Sequence, residues 1–147
     1  MVENSDRKAW LSLLARAPGA DLTGLWQTLT DIPSFTWLRQ PEIGGVMVRG
    51  RMGGTGGPFN LGEMTVTRCS LRLDCGAVGH GYVQGRDKAK AEIAALVDAL
   101  MQTDRAEDVR AGILAPLEAT ITSASKDRAE KAAATKVDFF TLVRGED

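Results

Sequence analysis

The chain has 147 residues, 44% of them apolar and 25% charged, with a formal net charge of −1. That length fits one domain able to bury a core without staples, and the apolar share excludes a disordered chain. The near-neutral balance argues against a nucleic-acid partner, which would need a basic field.

Residues 1–8 are polar, and no apolar signal segment or bilayer-length run follows. The expectation is a cytoplasmic protein with no membrane partner. Ser5 is the expected N-cap of a first helix, with Asp6 in its first turn and Trp10, Leu13, Leu14 and Ala17 at helical spacing. Pro18 and Gly19 end it. Asp21 is the expected cap of a second helix bearing Leu22, Leu25, Trp26 and Leu29, weakened by Gly24. Asp31, Ile32 and Pro33 form a break.

From Ser34 the period changes to two, and Phe35 and Trp37 alternate with polar neighbours as in a strand. Residues 41–45 read as a turn, and Val46 and Val48 mark a second strand. Residues 64–73 are the longest strand candidate, with Thr65, Thr67, Cys69, Leu71 and Leu73 on one face. After a tight turn at Asp74, Cys75 and Gly76, residues 78–84 return as a fourth strand with His80 and Tyr82 on one face. Four strands with short connections predict a small antiparallel sheet.

Residues 85–88 open the strongest helix, whose apolar stripe is Ala89, Ile93, Leu96, Val97, Leu100 and Met101; it should cover one face of the sheet. A polar connector (103–110) and a short apolar step (113–117) lead to an alanine-rich, charged helix over 117–135. Its thin apolar stripe predicts light packing or contact with another chain. The expected class is α+β: N-terminal helices, the sheet, a long helix after it, and a C-terminal helix with a docking tail. Trp10, Trp26 and Trp37 are core candidates.

Twelve of the sixteen glycines fall between positions 44 and 85. Four of them, Gly53, Gly54, Gly56 and Gly57, crowd a loop that also holds Arg51 and Thr55. Bare amides can converge on an anion there, with Arg51 adding charge; the other reading is a connection that needs positive φ. Neither the Walker spacing nor the dinucleotide fingerprint is present. Arg86 and Lys88 crowd a helix start, where cations oppose the dipole. A bound anion would offset that cost, as would Asp87 and a Lys88–Glu92 pair. The anion-binding candidates are therefore Arg51, Gly53, Gly54, Thr55, Gly56, Arg86 and Lys88.

His80 could serve as an acid or base or be an ordinary sheet histidine. One histidine and two cysteines, Cys69 and Cys75, make no metal set and no disulfide framework. Cys69 reads as a small buried hydrophobe and Cys75 as an exposed turn residue. In the tail, Phe139 and Phe140, and Leu142 and Val143, are adjacent pairs. On a strand they would point to both faces, which suits either a partner interface or docking onto the chain's own core.

Three blocks then coincide in order: 51–56 (RMGGTG) leading into 59–69 (FNLGEMTVTRC); 79–85 (GHGYVQG) with Arg86, Asp87 and Lys88, then Ala91, Glu92 and residues 98–102; and 136–145 (KVDFFTLVRG). Together they resemble the G-subunit (PhnG) family of the bacterial carbon–phosphorus lyase core complex. The resemblance implies phosphonate catabolism, and assembly with the H, I and J subunits and the accessory L protein. It also implies support for attack of a phosphonate on C1′ of the ATP ribose, with loss of adenine to give α-D-ribose 1-methylphosphonate 5-triphosphate. ATP and methylphosphonate would be substrates of the complex, with no cofactor on this chain alone. The radical step and its iron–sulfur cluster belong to J, and this chain lacks the cysteines for such a cluster. The resemblance carries over no catalytic residue. The rival expectations are a stand-alone enzyme that binds a small phosphate ester and uses His80, and a structural adaptor without ligand.

Overall fold

In the computed structural model, which describes residues 3–137, the period-two pattern becomes three strands: β1 (Phe35–Arg51), β2 (Pro58–Leu73) and β3 (Val78–Gln84). They form one antiparallel sheet in the order β1-β2-β3. Helices α1 (Asn4–Arg16) and α2 (Gly19–Trp26) precede it; α3 (Lys88–Leu100), α4 (Ala106–Val109) and α5 (Ala115–Ala134) follow. The α+β class holds, with one strand fewer than expected.

The missing strand boundary is the supposed turn over 41–45. β1 runs straight through it, with register shifts on either side of Arg39. An edge strand tolerates Pro41 because its outer N–H groups need no partner, and Gly44 and Gly45 stay paired with Val66 and Thr65. β2 likewise begins at Pro58, six residues before the expected start. The first two helix caps also differ. Glu3 and Pro18 occupy the cap positions without side-chain bonds, which places Ser5 and Asp21 inside first turns. Asp87 does cap α3, its carboxylate accepting the Lys90 N–H at 2.9 Å.

The core forms between α3 and one sheet face. Thr67, Cys69, Leu71 and Leu73 point into it, and almost all of α3 is buried. The contact is close because small residues meet. A Cβ on Gly79 would lie 1.9 Å from the Ala95 carbonyl oxygen, and one on Gly81 would lie 2.1 Å from that of Ala91. Trp10, Leu14, Leu22 and Trp26 seal the far side of α3. Trp37 is half-buried at the margin, edge-on to Phe35.

The expected connector over 103–110 contains α4, which runs into a π-helical turn at Arg110–Leu114 before α5. Pro116 lacks an N–H and cannot bond four residues back. The widened turn absorbs this, with the Ala115 N–H donating to the Arg110 carbonyl. Within α5 only Leu117 is buried, in line with light packing. Phe139, Phe140, Leu142 and Val143 lie outside the described residues.

Candidate functional site

The structure separates the anion-binding candidates into two places. Arg51, Gly53, Gly54, Thr55 and Gly56 form the tip of the β1–β2 hairpin. Met52–Gly54 makes one 3-10 turn, and Gly53 and Gly54 sit at φ +60° and +80°. The Gly56 N–H donates to the Met52 carbonyl at 2.8 Å, so this amide is already engaged. Arg51 Nη1 lies 3.5 Å from the Gly56 carbonyl oxygen, a long contact at most, and the tip is solvent-exposed.

Arg86 and Lys88 lie elsewhere. The Gly85 N–H donates to the Thr65 carbonyl, and the Thr67 hydroxyl to the Gly85 carbonyl, which anchors this turn beside the middle of β2. From Pro58 to Thr65 the strand advances roughly 23 Å at about 3.3 Å per residue. Within one chain, the two groups therefore do not share an anion. Arg86 and Lys88 are exposed, whereas Lys90 turns inward and donates from Nζ to the Ala15 carbonyl at 3.1 Å. Burial pushes the Lys90 ammonium below its ordinary pKa. Lys88–Glu92 is not among the ion pairs of the described residues.

His80 lies on the sheet face opposite α3. Its Nδ1 is 2.8 Å from Ser70 Oγ across β2–β3. Next to this pair, Glu42 accepts from both Arg39 and Arg68, and Tyr82 stands opposite Arg68. The two guanidiniums, Arg39 first, hold the Glu42 carboxyl below the usual carboxylate range. The face is exposed and cationic. Among the described residues, Ser70 and His80 form a dyad without a third member: the buried carboxylate of Asp98 accepts the backbone N–H of His80, not its ring.

Asp98 is the residue that sequence reasoning undervalued. It is fully buried on α3. It accepts from Arg7 (Nε 3.1 Å, Nη2 2.7 Å), Trp10 Nε1 (2.9 Å) and the His80 amide (2.9 Å), joining α1, α3 and β3. An acidic residue within the otherwise apolar run from Ile93 to Met101 was the available signal. Cys69 donates from Sγ to the Ala91 carbonyl, and burial pushes its thiol up to about 11; Cys75 is exposed. Among the described residues, no cluster of three His, Cys, Asp or Glu side chains could hold a metal, and no helix is long and apolar enough to cross a membrane.

The hairpin itself is the largest uncommitted feature. β3 pairs only with residues 66–72 of β2, so residues 58–64 have β1 on one side and, among the described residues, no strand on the other. Residues 58–65 are exposed on both faces. A register shift between Val48 and Arg49 leaves Leu61 unpaired. Exposed apolar side chains line this arm: Ile43, Met47, Met52, Phe59, Leu61 and Met64. At its root, a hollow of about 190 Å³ is lined by Val46, Val66, Glu42, Arg68 and Tyr82. A larger groove of about 720 Å³ opens between α1 and α5, where Leu13, Leu114 and Ile121 alternate with Asp6, Arg16, Arg110 and Glu118.

Comparison with known proteins finds both a family and a close relative. The family model described as "Phosphonate metabolism protein PhnG" matches residues 5–145. A protein of Rhizobium meliloti (strain 1021), named alpha-D-ribose 1-methylphosphonate 5-triphosphate synthase subunit PhnG, is 46% identical over 143 residues, covering 97% of this chain and 92% of that protein.

Proposed function

We propose, for a chain that belongs to the PhnG family of phosphonate metabolism proteins, the role of a subunit of ribose 1-methylphosphonate 5-triphosphate synthase in the carbon–phosphorus lyase core complex. Near end-to-end similarity to a protein named as that subunit carries the reading. In this role the chain supports transfer of a phosphonate to C1′ of the ATP ribose with loss of adenine, and the isolated chain is inactive. Its partners are the H, I and J subunits with the accessory L protein, in the cytoplasm.

The geometry agrees with a supporting part. Among the described residues the Ser70–His80 dyad has no orienting acid, and the thiol of Cys69 is buried and protonated at neutral pH. A proton-transfer group needs hydrogen-bond reach to its substrate and a pKa near the working pH; the Cys69 thiol has neither. What the chain offers instead is uncovered surface, in the hairpin arm and α5. The test is adenine release from ATP and methylphosphonate by the purified subunits. Omission of this chain should abolish it, and the chain alone should show none. Full activity without it would refute the proposal.

The cationic face around His80 favours a second reading, a small phosphate-ester enzyme that uses His80 as its acid–base group. It requires turnover by the lone chain that disappears in His80→Ala.

A further inference from the structure

The glycine-rich tip and the strands that carry it are a protein-docking arm. We infer that residues 43–64 seat in a groove of a different polypeptide, one with an apolar floor and an acidic rim. This rests on the subunit reading above and adds which surface does the joining.

The surface chemistry points this way. Met47, Met52 and Leu61 are 57%, 74% and 67% exposed. With Ile43, Phe59 and Met64 they present apolar area on the order of several hundred Å², above what a monomer leaves bare without a use. That is the scale of one partner's share of a standard interface, about 800 Å². Two-stranded ribbons gain little stability from themselves in water, so an arm with no helix beneath it is poorly placed to serve the chain's own fold.

The sequence is built for contact on both faces. Val46, Met47 and Val48 are consecutive apolar residues, and on a strand consecutive residues face opposite ways. Neither face is then given to solvent. Phe59 lies across Gly50, where a Cβ would meet its ring at 3.6 Å, which stiffens the ribbon with an aromatic lid.

Charge sets the partner's rim. Arg49 and Arg51 end β1 at the tip, with Glu63 the lone acid on residues 46–64, so acidic groups should surround the floor. The free strand edge at 58–64 offers backbone groups to a partner strand, and the hollow at the root admits an apolar side chain onto Val66. The tip amides are less suited to an anion, since those of Thr55 and Gly56 are both already donated to the Met52 carbonyl.

The experiment co-purifies the full chain with the other synthase subunits, as wild type and as the M47E/L61E double variant. Both positions are exposed, so the variant should keep the wild-type circular dichroism and melting temperature while losing at least tenfold in affinity, the effect of one interface hot spot. Hydrogen exchange on the wild-type chain gives a second, mutation-free readout: amides over 46–64 should gain protection on assembly. A double variant that assembles as well as wild type, or arm amides that gain no protection, would overturn the arm. Protection in a discrete dimer of the isolated chain that the added subunits do not displace would overturn it in favour of a second copy. A wild-type chain that joins no partner would overturn the subunit reading itself, and this inference with it.

Discussion

Asp98 is a buried carboxylate whose worth lies in the donors it satisfies. Removing it strands the Trp10 indole N–H and the His80 amide, and leaves Arg7 without its acid. Asp98→Ala should destabilise the chain by about 3–5 kcal/mol, read as a fall in denaturation midpoint. Arg7→Ala, removing a partner 30% exposed on its side chain, should cost less. Cys69 makes a prediction in pH. Burial raises its folded-state pKa from the ordinary thiol value of 9.0 to about 11, so its stabilisation is fully present below pH 9. It is lost as pH rises toward 11, by roughly 2–3 kcal/mol at about 1.4 kcal/mol per unit. Lys90 is shifted the opposite way and works against this loss, so the clean comparison is the alkaline slope of wild type against Cys69→Ala, which should be shallower. A thiol reagent at pH 8 should label Cys75 rapidly and Cys69 only on unfolding.

Contacts between elements decided what could be read in advance. The alternation of 67–73 was legible because burial follows its period directly, and the helix over 88–100 was legible from its apolar run, though nearly every residue from Lys90 on is buried, whatever its place in the period. The close seat of α3 was not, since it depends on two glycines of β3 meeting alanines on another element. Gly79→Ala or Gly81→Ala should therefore cost several kcal/mol by pushing backbone from backbone, whereas Gly53→Ala, with open space around it, should cost only the strain of its positive φ, about 1–2 kcal/mol. The turn expected at 41–45 failed for a related reason: proline and glycine signal a break unless a neighbouring strand overrides them, and β2 does so from its own residues. For α5, thin packing was visible in its composition. Ala129→Pro should reduce helical circular dichroism while leaving the cooperative melting temperature of the body unchanged, because that stretch buries nothing.

At the scale of the molecule, class and family were both legible, the first from hydrophobic period and the second from three sequence blocks. The site was only partly so. Candidate residues were chosen by type, but the distance between the hairpin tip and the start of α3 is set by how far β2 extends, which no local pattern reports. The exposure of the arm's aliphatics is set in the same way: Met47 and Leu61 lie on strands that run on beyond the end of β3.

The ribbon's bare edge also bears on how the chain can be stored. A strand with unpaired amides beside aliphatic side chains is a template for sticking to copies of itself. Surplus chain, made faster than its companions, would cloud on concentration. Light scattering should rise with dose for the lone product and fall when the receiving polypeptide is supplied in equal number, so matched synthesis is a requirement written into the hairpin.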